Sequence, residues 1–208
     1  MNQHPEAILI LLRIKGFAKP PLVAENLGLT EPAADRVLAE LTATGLVSET
    51  KMGLRLTDAG KQAADAASTA EREAADAEVV AACYDRFDPI NARFKALIQA
   101  WQVREVDGEA VPNDHQDPAY DAARVKDLAA IHDDIGPVLA DAAGQIARLG
   151  RYTDRLAAAF DRVQAGDTRF MAAPIIDSYH TVWFELHEDL IRLTGRTRAE
   201  EASAGRAV

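Results

Sequence analysis

The sequence predicts a mainly α protein: a helix-turn-helix with a small β-hairpin at the N-terminal end, a long linking helix, and a C-terminal antiparallel helical bundle. Three observations carry this. Alanine and other helix formers dominate throughout, and β-branched runs are almost absent outside residues 46–57. Apolar residues recur at offsets of three and four in successive segments. Gly, Pro, Asn and Asp gather between those segments, where turns belong. At 208 residues and 48% apolar, the chain is large enough to bury a core.

The N-terminal elements follow in order. Residues 5–16 (PEAILILLRIKG) form a first helix with Ile8, Leu9, Leu11, Leu12 and Ile14 turned inward, and Gly16 ends it. Pro20 and Pro21 open a second helix, where a missing N–H costs little, and it runs over residues 21–26 to stop at Gly28. Leu29 and Thr30 make a tight turn, with Thr30 as N-cap of a third helix. That helix places Ala34, Val37, Leu38 and Leu41 on one apolar face, and Gly45 closes it. Two short runs, 46–51 and 54–57, joined at Met52-Gly53, read as a hairpin. Helix, turn, helix, hairpin is the order of a winged helix-turn-helix, assigned to residues 1–62.

The spacing resembles that of MarR-like transcriptional regulators. The residues that carry the resemblance are Leu29-Thr30, then Ala34, Val37 and Leu41, then Gly45-Leu46-Val47, and finally Leu56-Thr57-Asp58-Ala59-Gly60. The match covers roughly residues 5–62. It implies double-stranded DNA as partner, a recognition helix opened by Leu29-Thr30, and a homodimer formed through helices that flank the winged domain. The candidate DNA-binding residues are Thr30, Pro32, Ala33 and Arg36 on that helix, with Lys51 and Arg55 on the wing. Arg36 suits a guanine edge or a phosphate, and pairing with Glu40 one turn later is its bland alternative. Thr30 and the first amides of the helix suit a phosphate. The family's Asp-x-Arg is missing from the wing.

From Thr57, an Ala-rich helix is expected to run to about Arg86, with residues 63–86 as a linking and dimerising element. Asp88-Pro89 is expected to start a new helix bearing Phe94, Leu97, Ile98 and Trp101. Residues 106–118 (VDGEAVPNDHQDP) read as the longest loop. A helix over 119–135 follows, broken at Gly136-Pro137 before a further one over 138–149. Gly150 leads into a helix over 152–164, and the last helix spans 175–194 up to Gly195. Residues 87–195 are thus one all-α bundle, with 196–208 a disordered tail.

Charge is divided unevenly. Residues 1–64 carry seven Lys/Arg and seven Asp/Glu, so the net −10 falls on residues 65–208. That suits a neutral reading head on an acidic body. No run approaches the ~20 apolar residues of a membrane span, no basic-then-apolar leader opens the chain, and Cys83 is alone. A cytoplasmic protein is expected. There is no Gly-rich phosphate loop, Cys pair, His-Glu-x-x-His or nucleophile elbow, so neither an enzyme nor a cofactor is predicted.

The bundle segment has one unusual feature. His180 and His187 fall in the middle of an apolar face that includes Tyr179 and Trp183, while His132 falls on the inner face of its own helix. Core imidazoles satisfied by neighbours are the plain explanation. The functional one is a polar-tipped pocket for a small-molecule effector, lined by Trp101, His132, Tyr179, His180, Trp183 and His187. A metal is not predicted, because seven residues of helix separate His180 from His187 by about 10.5 Å. A rival function is a non-DNA-binding adaptor docked on a protein partner. Residues 178–190 (SYHTVWFELHEDL) are faintly similar to helical segments that accompany dikinase-type phosphoenolpyruvate-using enzymes.

Overall fold

The computed structural model describes residues 4–195. The protein is mainly helical, with a small antiparallel hairpin near the N-terminus and a second one mid-chain. Residues 196–208, expected as a tail, lie outside the described range.

The first part holds α1 (His4–Lys15), α2 (Pro20–Leu27), α3 (Glu31–Ala43), β1 (Val47–Thr50), β2 (Gly53–Leu56) and α4 (Asp58–Ala74). β1 and β2 pair antiparallel with Val47 opposite Leu56, and Ala18, between α1 and α2, bridges to Leu54. Ile8, Leu12, Val23, Val37, Leu41, Leu54 and Leu56 close one apolar core here. Two glycines make its tight approaches. A Cβ on Gly53, whose φ is +127°, would stand 2.6 Å from the Ala18 carbonyl oxygen, and one on Gly60 would stand 2.0 Å from that of Leu46. Thr57 caps α4 by accepting from the Gly60 amide. Thr30 occupies the N-cap of α3 without a side-chain capping bond.

The second part holds α5 (Ala77–Gln102), β3 (Val103–Val106), β4 (Glu109–Pro112), α6 (Pro118–Gln145), α7 (Gly150–Gln164), the short α8 (Arg169–Ala172) and α9 (Tyr179–Thr194). α5, α6, α7 and α9 enclose a second, separate core that includes Tyr84, Phe87, Phe94, Leu128, Ile135, Leu156 and Trp183.

Four expectations need correction. The helix starting at Thr57 does not run on to Arg86: it ends at Ala74, and Asp76 caps a new helix by accepting from the Glu78 and Val79 amides. α4 packs on α1 and α9 of its own chain, with Gly60, Ala64 and Ser68 buried. Neither Pro89 nor Pro137 breaks its helix. Both prolines face solvent, as do Asp85 and Asp133 four residues earlier, so the freed carbonyls hydrate while the buried stripe runs on. Residues 106–118 are not one loop, since β3 and β4 pair across Asp107-Gly108. Both of these residues have positive φ, 53° and 83°, as a two-residue Asp-Gly hairpin turn requires. Finally, the last helix begins at Tyr179 rather than at residue 175, because the Ser178 hydroxyl caps it from the Thr181 amide and leaves Ile175 exposed.

Candidate functional site

The residues assigned to DNA lie on the surface of the first part. On α3, Ala34, Val37, Leu38 and Leu41 fill the core and turn Glu31, Pro32, Asp35, Arg36 and Glu40 to solvent, with Ala33 half-buried. Arg36 forms no ion pair with Glu40. Among the described residues, Lys19, Arg36, Lys51 and Arg55 are exposed and make no hydrogen bond or salt bridge from their side chains. The arginines of the second part behave differently: Arg86, Arg93, Arg104, Arg124, Arg148 and Arg155 all engage carboxylates. Thr30 is exposed with its hydroxyl unused as a cap, beside the free amide of the first helical residue.

The six residues assigned to a ligand fall into separate places. His180 and Trp183 line a groove of about 320 Å3 between α5 and α9, together with Phe94, Ile98, Gln99 and Phe184. Trp183 stacks on Phe94 at 4.4 Å and donates its indole N–H to Asn91 Oδ1 at 3.0 Å. His132 does not line this groove: it lies 3.2 Å from the Tyr179 hydroxyl and is stacked on Phe160 at 4.5 Å. His187 is buried with Nε2 3.4 Å from the Tyr84 hydroxyl. Trp101 lies at the end of α5 against the His115 ring, at 4.5 Å. Burial pushes His132 and His180 below the usual imidazole range, so both are neutral near pH 7. The Tyr179 phenol is pushed up, by burial first and then by Asp133.

The largest chemical feature is absent from the expectations drawn from the sequence. Between the two cores runs a seam of buried charges. Lys15 Nζ of α1 donates to Asp177 Oδ1 at 3.0 Å and to Glu185 Oε1 at 2.6 Å. Arg155 of α7 completes the ring, with Nε 2.9 Å from Asp177 Oδ2 and Nη2 2.8 Å from Glu185 Oε2. Asn26 of α2 adds a bond to Asp177 at 2.7 Å. Beside it, Arg148 joins Glu71 of α4 to Asp189 of α9, which also accepts from the Tyr152 hydroxyl at 3.0 Å. Burial pushes the Asp177 carboxyl up, but Arg155 and Lys15 outweigh burial and hold it below the ordinary range. Burial also opposes charge on Arg148, and Asp189 and Glu71 reverse this, raising it well above the ordinary value. Only about 20 Å3 of cavity remains beside the second cluster, lined by residues such as Asn26, Arg151 and Tyr152, room for roughly one water.

A signal for this seam existed in the last helix. Val182, Trp183, Leu186, Leu190, Ile191 and Leu193 leave almost no polar face on α9, so Glu185 and Asp189 had to be buried and had to find cations.

Among the described residues, no group of three or more His, Cys, Asp or Glu is placed to hold a metal ion. No described helix is long and apolar enough to cross a membrane. Neither a family model, nor a curated protein, nor a solved structure matches the chain.

Proposed function

We propose that the protein is a DNA-binding transcriptional regulator. Residues 1–62 act as a MarR-like winged helix-turn-helix, with α3 as recognition helix and β1–β2 as wing. The helical bundle that follows serves as a dimerisation and effector-sensing body. One observation carries the reading: Lys19, Arg36, Lys51 and Arg55 stand exposed and unpaired on the head, whereas arginines of the body are tied to carboxylates. A cation with no internal partner can meet a phosphate without breaking an existing bond. The unpaired Thr30 hydroxyl and the start of α3 add donors for the same anion.

Selection of bound duplexes from a random pool at low salt, followed by the salt slope of the best one, tests this reading. Arg36→Ala is expected to cost about 1–3 kcal/mol and to relax base preference, while Lys51→Ala weakens all sequences alike. If Arg36→Ala/Lys51→Ala/Arg55→Ala binds the selected duplex as tightly as the wild type, the regulator reading fails.

A second reading has its own support. Glu31, Asp35 and Glu40 share the exposed face of α3 with Arg36 and repel a phosphate backbone. They suit a basic face on a protein partner, as in an adaptor, for which a phosphoenolpyruvate-using enzyme remains a proposal on the resemblance of residues 178–190 alone. No salt-dependent binding to any duplex in the selection favours this alternative.

A further inference from the structure

We propose that the groove between α5 and α9 is a binding site for a small, uncharged, largely apolar molecule, about the size of two fused rings, carrying a single hydroxyl or ring N–H. This deepens the effector-sensing part of the reading above and does not depend on whether the head binds DNA.

The groove is built by helix periodicity. Phe94 and Ile98 are one turn apart on α5, and His180, Trp183 and Phe184 share one side of α9. The two helices lie side by side there, and the chain leaves α5 at Gln102 for the β3–β4 hairpin, so nothing fills the space between them. Beneath it lies an aromatic stack whose three rings are each no more than 1% exposed. Phe87, Trp183 and Phe94 follow one another with ring centres 5.3 and 4.4 Å apart and interplanar angles of 26° and 27°. The stack is a rigid apolar backing, and the walls that a ligand can touch are those of Gln99, Val103, His180 and the half-buried Phe184.

The size and polarity of the groove narrow the ligand. About 320 Å3 falls at the small end of ligand pockets and holds a bicyclic ring system, not a partner helix. The Trp183 N–H is already used by Asn91, so the indole gives a ligand no donor. His180 is half-buried at the edge of the groove, and among the described residues it has no hydrogen-bond partner. Its imidazole is held neutral by burial, so it can take or give one hydrogen bond but supplies no charge. No carboxylate lines the groove, which leaves a cationic ligand without a counter-charge. Lys95 is the one charged residue that lines it, on a chain whose net charge of −10 disfavours the approach of anions.

The full chain, titrated with 2-naphthol and followed by saturation-transfer NMR on the ligand, tests the site. A saturable signal with a dissociation constant below about 1 mM is expected at pH 7. His180→Leu removes the hydrogen bond and is expected to weaken binding roughly tenfold. Gln99→Trp places an indole in the groove from an exposed position of α5, so it should abolish the signal while the helical circular dichroism stays unchanged. Absence of transfer in the wild type overturns the proposal, as does transfer that survives Gln99→Trp. Tighter binding of 2-naphthoate than of 2-naphthol overturns the uncharged class. None of these outcomes touches the DNA assay of the head, so the two readings fail separately.

Discussion

Replacing Lys15 by methionine tests whether the charged seam holds head and body together. Methionine keeps most of the length of the side chain and removes only the ammonium. The Lys15 side chain is 7% exposed, against 4% for its partner Glu185, so the pair is almost fully desolvated. Breaking a buried pair by deleting one partner costs about 3–5 kcal/mol, because the other charge is left stranded. Here Arg155 keeps its contacts to both carboxylates, which places the expected loss at the lower end, about 3 kcal/mol. Arg13→Ala, which removes the half-exposed bridge to Asp65, is the control and should cost only about 0–1 kcal/mol. Urea unfolding followed by two probes reads the difference. Both tryptophans, Trp101 and Trp183, belong to the second core, so their fluorescence reports the body, whereas far-ultraviolet dichroism reports every helix. Coincident midpoints are expected for the wild type. In Lys15→Met the dichroism should begin to fall about 1 M urea earlier than before, ahead of the fluorescence. Adding Glu185→Gln to Lys15→Met should cost less than the sum of the two single losses, since together they restore charge balance around Arg155. A Lys15→Met protein within about 0.5 kcal/mol of wild type, and no worse than Arg13→Ala, would refute this account of the seam.

Other outcomes follow from the same contacts. The depressed Asp177 carboxyl stabilises the fold fully above the unfolded value of about 3.9, and that contribution is lost as pH falls towards its folded value. An acid titration of the urea midpoint should therefore be flatter below pH 4 in Asp177→Asn than in the wild type. His132 and His180 are held neutral, so stability should fall as pH drops below about 6.5, and His132→Gln/His180→Gln should lessen that slope between pH 6.5 and 5. Gly60→Ala drives a Cβ against the Leu46 carbonyl and should cost about 1–3 kcal/mol, read as a lowered melting temperature. Light scattering across micromolar concentrations should give a dimer if the body assembles as proposed, and a monomer throughout would remove that part of the proposal.

Where one face of an element was buried and the other wet, the sequence was a good guide. α1, α3 and the first hairpin lie within a residue or two of their expected bounds because Ile8, Val37, Leu41, Val47 and Leu56 repeat at helix or strand spacing. It misled where local rules met tertiary packing. Pro89 and Pro137 read as breaks, yet each faces water and so leaves its helix intact. Asp107-Gly108 between Val106 and Glu109 is a hairpin signal of two residues, hidden in a stretch rich in other turn formers. The nearly all-round apolar α9 marked its carboxylates for burial, but not their partners, which are more than twenty residues away in every case: Lys15 and Arg155 for Glu185, and Arg148 for Asp189. Four of the six candidate ligand residues, Tyr179, His180, Trp183 and His187, share one apolar stripe on paper, but the stripe wraps round a helix buried on nearly all sides. His180 therefore meets the groove and His187 meets Tyr84.

Modularity takes a particular form in this chain. Each part has its own oily interior, so by sequence the head looks like a cassette that could be cut out and fused elsewhere. The seam opposes that use. A transplanted head would carry Lys15 and the Asn26 amide into a setting with no acid to receive them. The body left behind would keep Asp177, Glu185 and Asp189 on two arginines, with Glu71 gone if the cut followed α4. A working chimera would have to transfer these residues as a lock and its key, with Lys15 and Glu71 on one piece matched to Glu185 and Arg148 on the other. Exchange of heads between such proteins is constrained by these few polar positions far more than by the apolar cores on either side.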